Sequence, residues 1–268
     1  MTVSKRLEEA RQAFSRGDTQ ASTLAHDPER IAHAVREEHG GTSHQYIGDL
    51  VYGGLDGIIT TFAVVSGVAG AQLGTPVILI LGLANLLADG FSMAVGAYLS
   101  GKSEREYYER EWQRETWEVE HLPEGERAEL YEIYRQQGYT EADAHRLVEI
   151  QTRNPRRWVK TMMVDELGLL PDDRKPTLSA LATFVSFIVA GSVPLLVYLS
   201  GLFFPVPADM AFPVSLALSG LALFALGAAK VWVTRLNFFR SGLEMLLVGG
   251  LAAGVAYGVG TLLKGIGG

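Results

Sequence analysis

Five apolar runs set the plan of this 268-residue chain. They cover residues 46–70, a second run that opens at Pro76 and lasts to Leu99, then 178–202, 211–233 and 241–263. Each reaches the ~20 residues that a helix needs to cross a hydrocarbon core. The turn at 72–75 is so short that the first two spans form an antiparallel hairpin, and Pro76 suits a first helical position. Pro194 predicts a kink in the third span. The expected fold class is an all-α membrane protein with five transmembrane helices.

The second run differs from the others in not stopping at the membrane. The helical pattern continues through residues 102–118 with no Pro or Gly pair, while the composition turns acidic. In the apolar part Asn85, Asp89 and Met93 stand at i, i+4 and i+8, on one face. In the polar part Glu111, Glu115 and Glu118 stand at i, i+4 and i+7, again on one face. One rod therefore offers oxygen and sulfur ligands both at membrane depth and in water.

Residues 102–176 read as a helical domain inserted between spans two and three. Pro123 starts its second helix, with Leu130, Ile133 and Tyr134 as the apolar stripe and Gln137-Gly138 as the stop. Thr140-Glu-Ala-Asp143 resembles a capping box that opens a third helix. Asn154-Pro155 opens a fourth, over 156–167, closed by Gly168. Four helices in so short a segment leave a thin core, one that needs the membrane part or a second copy for stability. Residues 1–45 read as a polar tail with one weak helical stretch at 7–14, and Asp27-Pro28 can start a short helix. The tail's His26, His33, His39 and His44 show no recurring ligand spacing. They fit a solvated linker better than a metal-collecting arm.

Composition narrows the function classes. With no Cys, a disulfide frame, a thiolate metal site and a cysteine nucleophile are all excluded. The 30 Gly suit closely packed membrane helices. A net charge of −7 argues against nucleic acid as a partner. Lys5, Arg6, Glu8 and Glu9 are followed by no apolar core, so the start is not read as a signal peptide. Of the 23 Lys and Arg, all but Lys264 fall in the tail, the acidic segment or the connection between spans four and five. That bias predicts a cytoplasmic N-terminus and inserted domain, with the C-terminus outside. Glu244, Lys230 and Arg240 sit near cytoplasmic span ends, where they can snorkel, and receive no role.

Candidate chemistry begins with Asp56, among the glycines of Gly53-Gly-Leu-Asp-Gly57. An ionisable group at membrane depth costs roughly 2.5–3.5 kcal/mol on insertion scales. It therefore needs a partner, such as the Thr60 hydroxyl, or a task, as ion ligand or proton carrier. The amide, carboxylate and thioether of Asn85, Asp89 and Met93 suit Fe²⁺ or Mn²⁺ better than Mg²⁺. The bland reading of that face is an interhelical hydrogen-bonding stripe with Met as filler. The acidic ladder continues at Glu126 and Glu129 on the second soluble helix, and the fourth adds Met162, Met163, Asp165 and Glu166. Glutamates beside Arg110 and Arg114 are more often solvated or weakly paired, and periodicity alone puts Met163 in the core. Convergence of close ligand pairs from three helices is what lifts the set. A segment binding Fe²⁺, Mn²⁺, Co²⁺ or Zn²⁺ through these groups should lose the metal as pH falls toward the usual carboxylate range near 4.

Several stretches resemble the vacuolar iron transporter family. These are Gly53-Gly-Leu-Asp-Gly-Ile-Ile, the long run from Ala84 to Glu104, the Asn154-Pro155 helix ending Asp165-Glu-Leu-Gly168, and Ser241-Gly-Leu-Glu-Met-Leu-Leu-Val-Gly-Gly-Leu-Ala. The likeness covers residues 46–263 and points to a bacterial-type member. It implies five spans, a homodimer, a cytoplasmic metal-binding domain, and export of cytosolic Fe²⁺, with Mn²⁺ or other divalent ions in some members, in exchange for protons. It implies a membrane pathway through Asp56 and Met93, beside Asn85 and Asp89. It implies a soluble site at Glu115, Glu118, Glu126, Glu129, Met162, Met163 and Glu166, which overrules the core reading of Met163. Plant members carry a glutamate where this chain has Asn85 and a small residue where it has Asp89, so the acidic group here sits one turn further on. No permanently bound cofactor is expected; the metal is cargo. In a bacterium the location would be the plasma membrane.

Two other classes compete. An intramembrane aspartyl protease would use Asp56 and Asp89 as its dyad, but the Gly-x-Gly-Asp setting of such proteases is lacking and the acidic segment has no part in it. A non-transporting metal sensor would need only the soluble segment, and leaves Asp56 without a task.

Overall fold

The computed structural model describes residues 5–34, 45–229 and 237–264. His39, His44, Lys230 and Arg235 lie outside the described residues, as does the side chain of His33. Among the described residues every regular element is helical. Five helices are long and apolar enough to cross a membrane: Ile47–Gly70, Thr75–His121, Pro176–Ser200, Asp209–Ala229 and Phe238–Leu263. The chain divides into two compact units, one of residues up to Gly96 and from Thr177 onward, the other Ala97–Pro176.

The first unit opens with three short helices, α1 (Lys5–Arg16), α2 (Thr19–Ala25) and α3 (Pro28–Ala34). This part was read from sequence as a linker with one weak helical stretch. The helices are held by polar links that apolar periodicity does not register. Asp18 Oδ1 caps α2 by accepting from the Ala21 N–H at 3.0 Å. Arg6 Nη1 donates to the Ala25 carbonyl, and Arg30 pairs with Glu9 at 3.0 Å. Asp27 accepts from the Glu29 N–H and starts α3 at Pro28, the short helix expected there.

The spans are α4 (Ile47–Gly70), α5 (Thr75–His121), a broken third span, α11 (Ala208–Ala229) and α12 (Phe238–Leu263). The third span comprises α9 (Pro176–Gly191), a 3₁₀ turn at Val193–Leu195 and α10 (Leu196–Ser200). The break falls at Pro194, and Ser215 Oγ donates to the Pro194 carbonyl at 2.6 Å. A hydroxyl thus satisfies a backbone group where the helix ladder is interrupted. Glycine lets α4 and α9 meet backbone to backbone: a Cβ at Gly53 would lie 2.5 Å from the Thr183 carbonyl oxygen, and one at Gly57 would strike that of Phe187. Above this contact Val65, Val68, Ile78, Leu86, Phe187, Leu195 and Tyr198 form the buried apolar core.

The second unit takes the end of α5, then α6 (Pro123–Gln136), α7 (Glu141–Thr152) and α8 (Pro155–Thr161). Thr140 Oγ1 accepts from the Asp143 N–H and Asn154 Oδ1 from the Arg157 N–H, so both expected caps are present. Gly138 (φ 95°) and Gly168 (φ 66°) take the left-handed conformation that ends their helices. The fourth helix is not uniform to 167: after Thr161 it widens into a π-helical turn, Met162–Glu166. The unit's core gathers Val119, Leu130, Tyr134, Ala144, Val148, Trp158, Met162 and Met163.

Candidate metal centre

Three helical ends meet in the second unit. A single residue, Leu122, separates α5 from α6, so the chain turns sharply back. That turn brings Glu115 and Glu118 of α5 opposite Glu126 of α6, with one carboxylate oxygen from each within 4.8 Å of the others. Glu115 is 0 % exposed and Glu126 5 % exposed. Glu115 Oε2 and Glu126 Oε2 are buried with no hydrogen-bond partner. Buried oxygens of this kind are costly unless a proton or a cation reaches them.

Electrostatics agree with the geometry. Burial, then repulsion from Glu166, Glu118 and Glu129, pushes the Glu115 carboxyl up to about 7, with Arg114 opposing. Burial, then Glu115, Glu129, Glu118 and Glu166, pushes Glu126 to about 7. Burial and Glu129 raise Glu166 above the ordinary carboxylate range. These carboxyls thus stand above the ordinary range near 4 from which the sequence expectation started. Carboxylates that repel one another in a dry site hold protons longer, and a divalent ion relieves the same repulsion.

The seven residues expected here are not placed alike. Glu115, Glu118 and Glu126 converge. Glu129 and Glu166 are exposed on the surface, yet close enough to shift their neighbours. Met162 and Met163 are both fully buried in the apolar core, beside Val119 and Leu130, which adjoin Glu118 and Glu129 in sequence. The wide π turn carries Met162, Met163 and Glu166 together, a distortion often found at functional sites. Arg114 was read only as the partner of weak pairs. Its guanidinium meets Glu111 at 2.9 Å and Glu115 at 2.6 Å, and also pairs with Glu118.

In the first unit Asp56 is half-buried, and its carboxylate lies within electrostatic reach of Asp89. Thr60 Oγ1 donates at 2.8 Å to the backbone carbonyl of Asp56. The hydroxyl considered as the carboxylate's partner is thus bound elsewhere. Asn85, Asp89 and Met93 are each half-buried, while Leu83, Ala84, Leu87, Ala88, Phe91 and Ser92 are exposed. The i, i+4, i+8 face is the inward face, and Met93 packs on the apolar core. Asp49 was missed. Its Oδ2 is buried without a hydrogen-bond partner, one i, i+7 step before Asp56 on the same side of α4. That spacing was the available signal.

Residues 47–261 match the model of the VIT family. The chain is 39% identical over 267 residues to a vacuolar iron transporter of Toxoplasma gondii, covering 96% of this chain and 88% of that one. It is 34% identical over 268 residues to the vacuolar iron transporter of Plasmodium falciparum, covering 98% of each. It is 35% identical over 229 residues to vacuolar iron transporter 1 of Oryza sativa subsp. japonica, covering 85% of this chain and 89% of that one. A family match across four of the five spans and most of the fifth, with relatives aligned over nearly their whole length, leaves one conclusion: the chain belongs to the VIT family.

Proposed function

We propose that the protein is a proton-coupled transporter that moves Fe²⁺, and also Mn²⁺, out of the cytosol. The observation that carries this reading is the Glu115, Glu118 and Glu126 cluster, with two buried, unpartnered carboxylate oxygens, in a chain that also has five membrane-length helices. The second unit is the cytoplasmic capture domain, inserted between spans two and three. Glu115, Glu118 and Glu126 bind first, and Glu129, Glu166 and the Met162 and Met163 thioethers complete the set. Oxygen donors with two soft sulfurs favour a borderline divalent ion over Mg²⁺. Co²⁺ and Zn²⁺ fit the same donors.

The membrane step belongs to Asp56, Asp89, Asn85 and Met93. Two aspartates in reach of each other in an apolar setting hold a divalent ion when both are ionised and a proton when it leaves. Exchange of metal for protons follows from one set of oxygens serving both. The working form is a homodimer, with the N-terminus and capture domain in the cytoplasm and the C-terminus outside. In a bacterial cell the membrane is the plasma membrane. Family membership sets aside the aspartyl-protease reading of the Asp56 and Asp89 pair.

The test is metal accumulation by inside-out vesicles that contain the protein. Wild type should take up Fe²⁺ when the lumen is acidic, and Asp56→Asn, which keeps size and removes charge, should take up none. Equal uptake by the two would remove Asp56 from the pathway.

A further inference from the structure

We propose that Arg114 is a built-in competitor of the metal and sets the affinity of the glutamate cluster. The proposal deepens the reading of that cluster as a capture site and rests on it. One guanidinium binds Glu111 through Nε, Glu115 through Nη2 and Glu118 through Nη1. Two of those carboxylates, Glu115 and Glu118, also supply the converging oxygens. A positive charge therefore already sits on one oxygen of each of two carboxylates that would also meet the ion.

The division of oxygens is specific. Arg114 holds Oε1 of Glu115 and leaves Oε2, the buried, unpartnered atom. It holds Oε2 of Glu118. The arginine thus neutralises part of a repulsive cluster without filling it. A divalent ion that arrives there meets a cation sharing its ligands, and like charges in a partly dry site repel strongly. The Arg114 side chain is 40 % exposed, whereas that of Glu115 is 1 % exposed. The arginine can swing into water as the ion binds, and the glutamate cannot follow it. A capture site that must pass its cargo on gains from such a competitor, because it shortens the stay of the ion.

The experiment measures Co²⁺ binding by calorimetry to the full chain in detergent. The samples are wild type, Arg114→Gln, Arg114→Met, Arg114→Lys and Glu126→Gln. Loss of the positive charge should tighten binding about tenfold in the first two variants, and Arg114→Lys, which keeps the charge, should stay near wild type. Two different neutral replacements guard against one that fails to fold. Binding that is unchanged or weaker in both neutral variants overturns the proposal. So does equal weakening in the neutral and lysine variants, which would make the arginine fork a positioning device. Co²⁺ binding that Glu126→Gln leaves intact sinks the reading of the cluster itself, and the role of Arg114 with it.

Discussion

Glu115 and Glu126, on two helices joined by a single residue, each bury an unpartnered Oε2, and burial followed by carboxylate repulsion raises the proton affinity of both, that of Glu126 through Glu115 first among its neighbours. The sharp return of the chain at Leu122 and Pro123 makes that possible. Two acids in one dry site are unstable as a pair of bare anions. A proton relieves such a pair, and on the proposed reading a divalent ion taken by the same oxygens relieves it too.

The first prediction follows from this sharing of oxygens. With Glu115 and Glu126 at about 7, metal must displace protons at neutral pH. Binding of Co²⁺ to the full protein should weaken as pH falls through about 7, and should release protons in calorimetry run in buffers of different ionisation enthalpy. Binding that holds steady down to pH 5 would mean that ordinary exposed carboxylates carry the ion.

Stability without metal should follow the opposite course. Both groups have folded pKa values above the ordinary 4.5, so between 4.5 and 7 the folded state holds more protons than the unfolded one. Stability then falls as pH rises through that window. The metal-free protein should melt higher at pH 5.5 than at pH 8, and added Co²⁺ should recover the difference at pH 8. In Glu115→Gln with Glu126→Gln the pH dependence should flatten.

Capture and passage should separate in kinetics. Glu118 is half-buried at the edge of its cluster, so Glu118→Gln should mainly raise the metal concentration for half-maximal flux. Met93 lies on the inward membrane face, where no water replaces a lost ligand, so Met93→Ala should mainly lower the maximal rate. Flux titrations of the two variants decide the matter: the reverse pattern would exchange the roles of the two sites.

The α4–α9 contact offers a test of the scaffold. A side chain at Gly57 would meet the Phe187 backbone carbonyl, which cannot rotate away. Gly57→Ala should cost ~1–3 kcal/mol through overpacking and lower the melting temperature in detergent. Gly96 faces open space, so Gly96→Ala should leave it unchanged.

The five spans, the caps at Thr140 and Asn154 and the break at Pro194 were legible in sequence because each follows from local rules of length, hydrogen bonding and ring geometry. So was the sharing of one face by Asn85, Asp89 and Met93, since helical spacing fixes which residues stand together, though not that the face is turned inward. The burial of Glu115 was not legible. It depends on α6 folding back over α5, and helical period cannot report what packs against a face. Nor could the π turn be foreseen, because Met162 and Met163 in succession look like one core residue and one neighbour until the helix widens. Of the N-terminal helices only α2 escaped, because the Asp18 cap and the Arg6 link to the Ala25 carbonyl, not an apolar stripe, hold it.

The central claim is that metal and protons move in opposite directions through one protein. The most direct test uses liposomes that hold a metal-sensitive and a pH-sensitive dye, with the protein inserted so that the acidic unit faces outward. Fe²⁺ added outside should enter while the lumen turns alkaline, at rates that rise together with metal concentration, and Asp56→Asn should show neither signal. Entry of Fe²⁺ with no change in luminal pH, or a pH change without entry, would contradict the account.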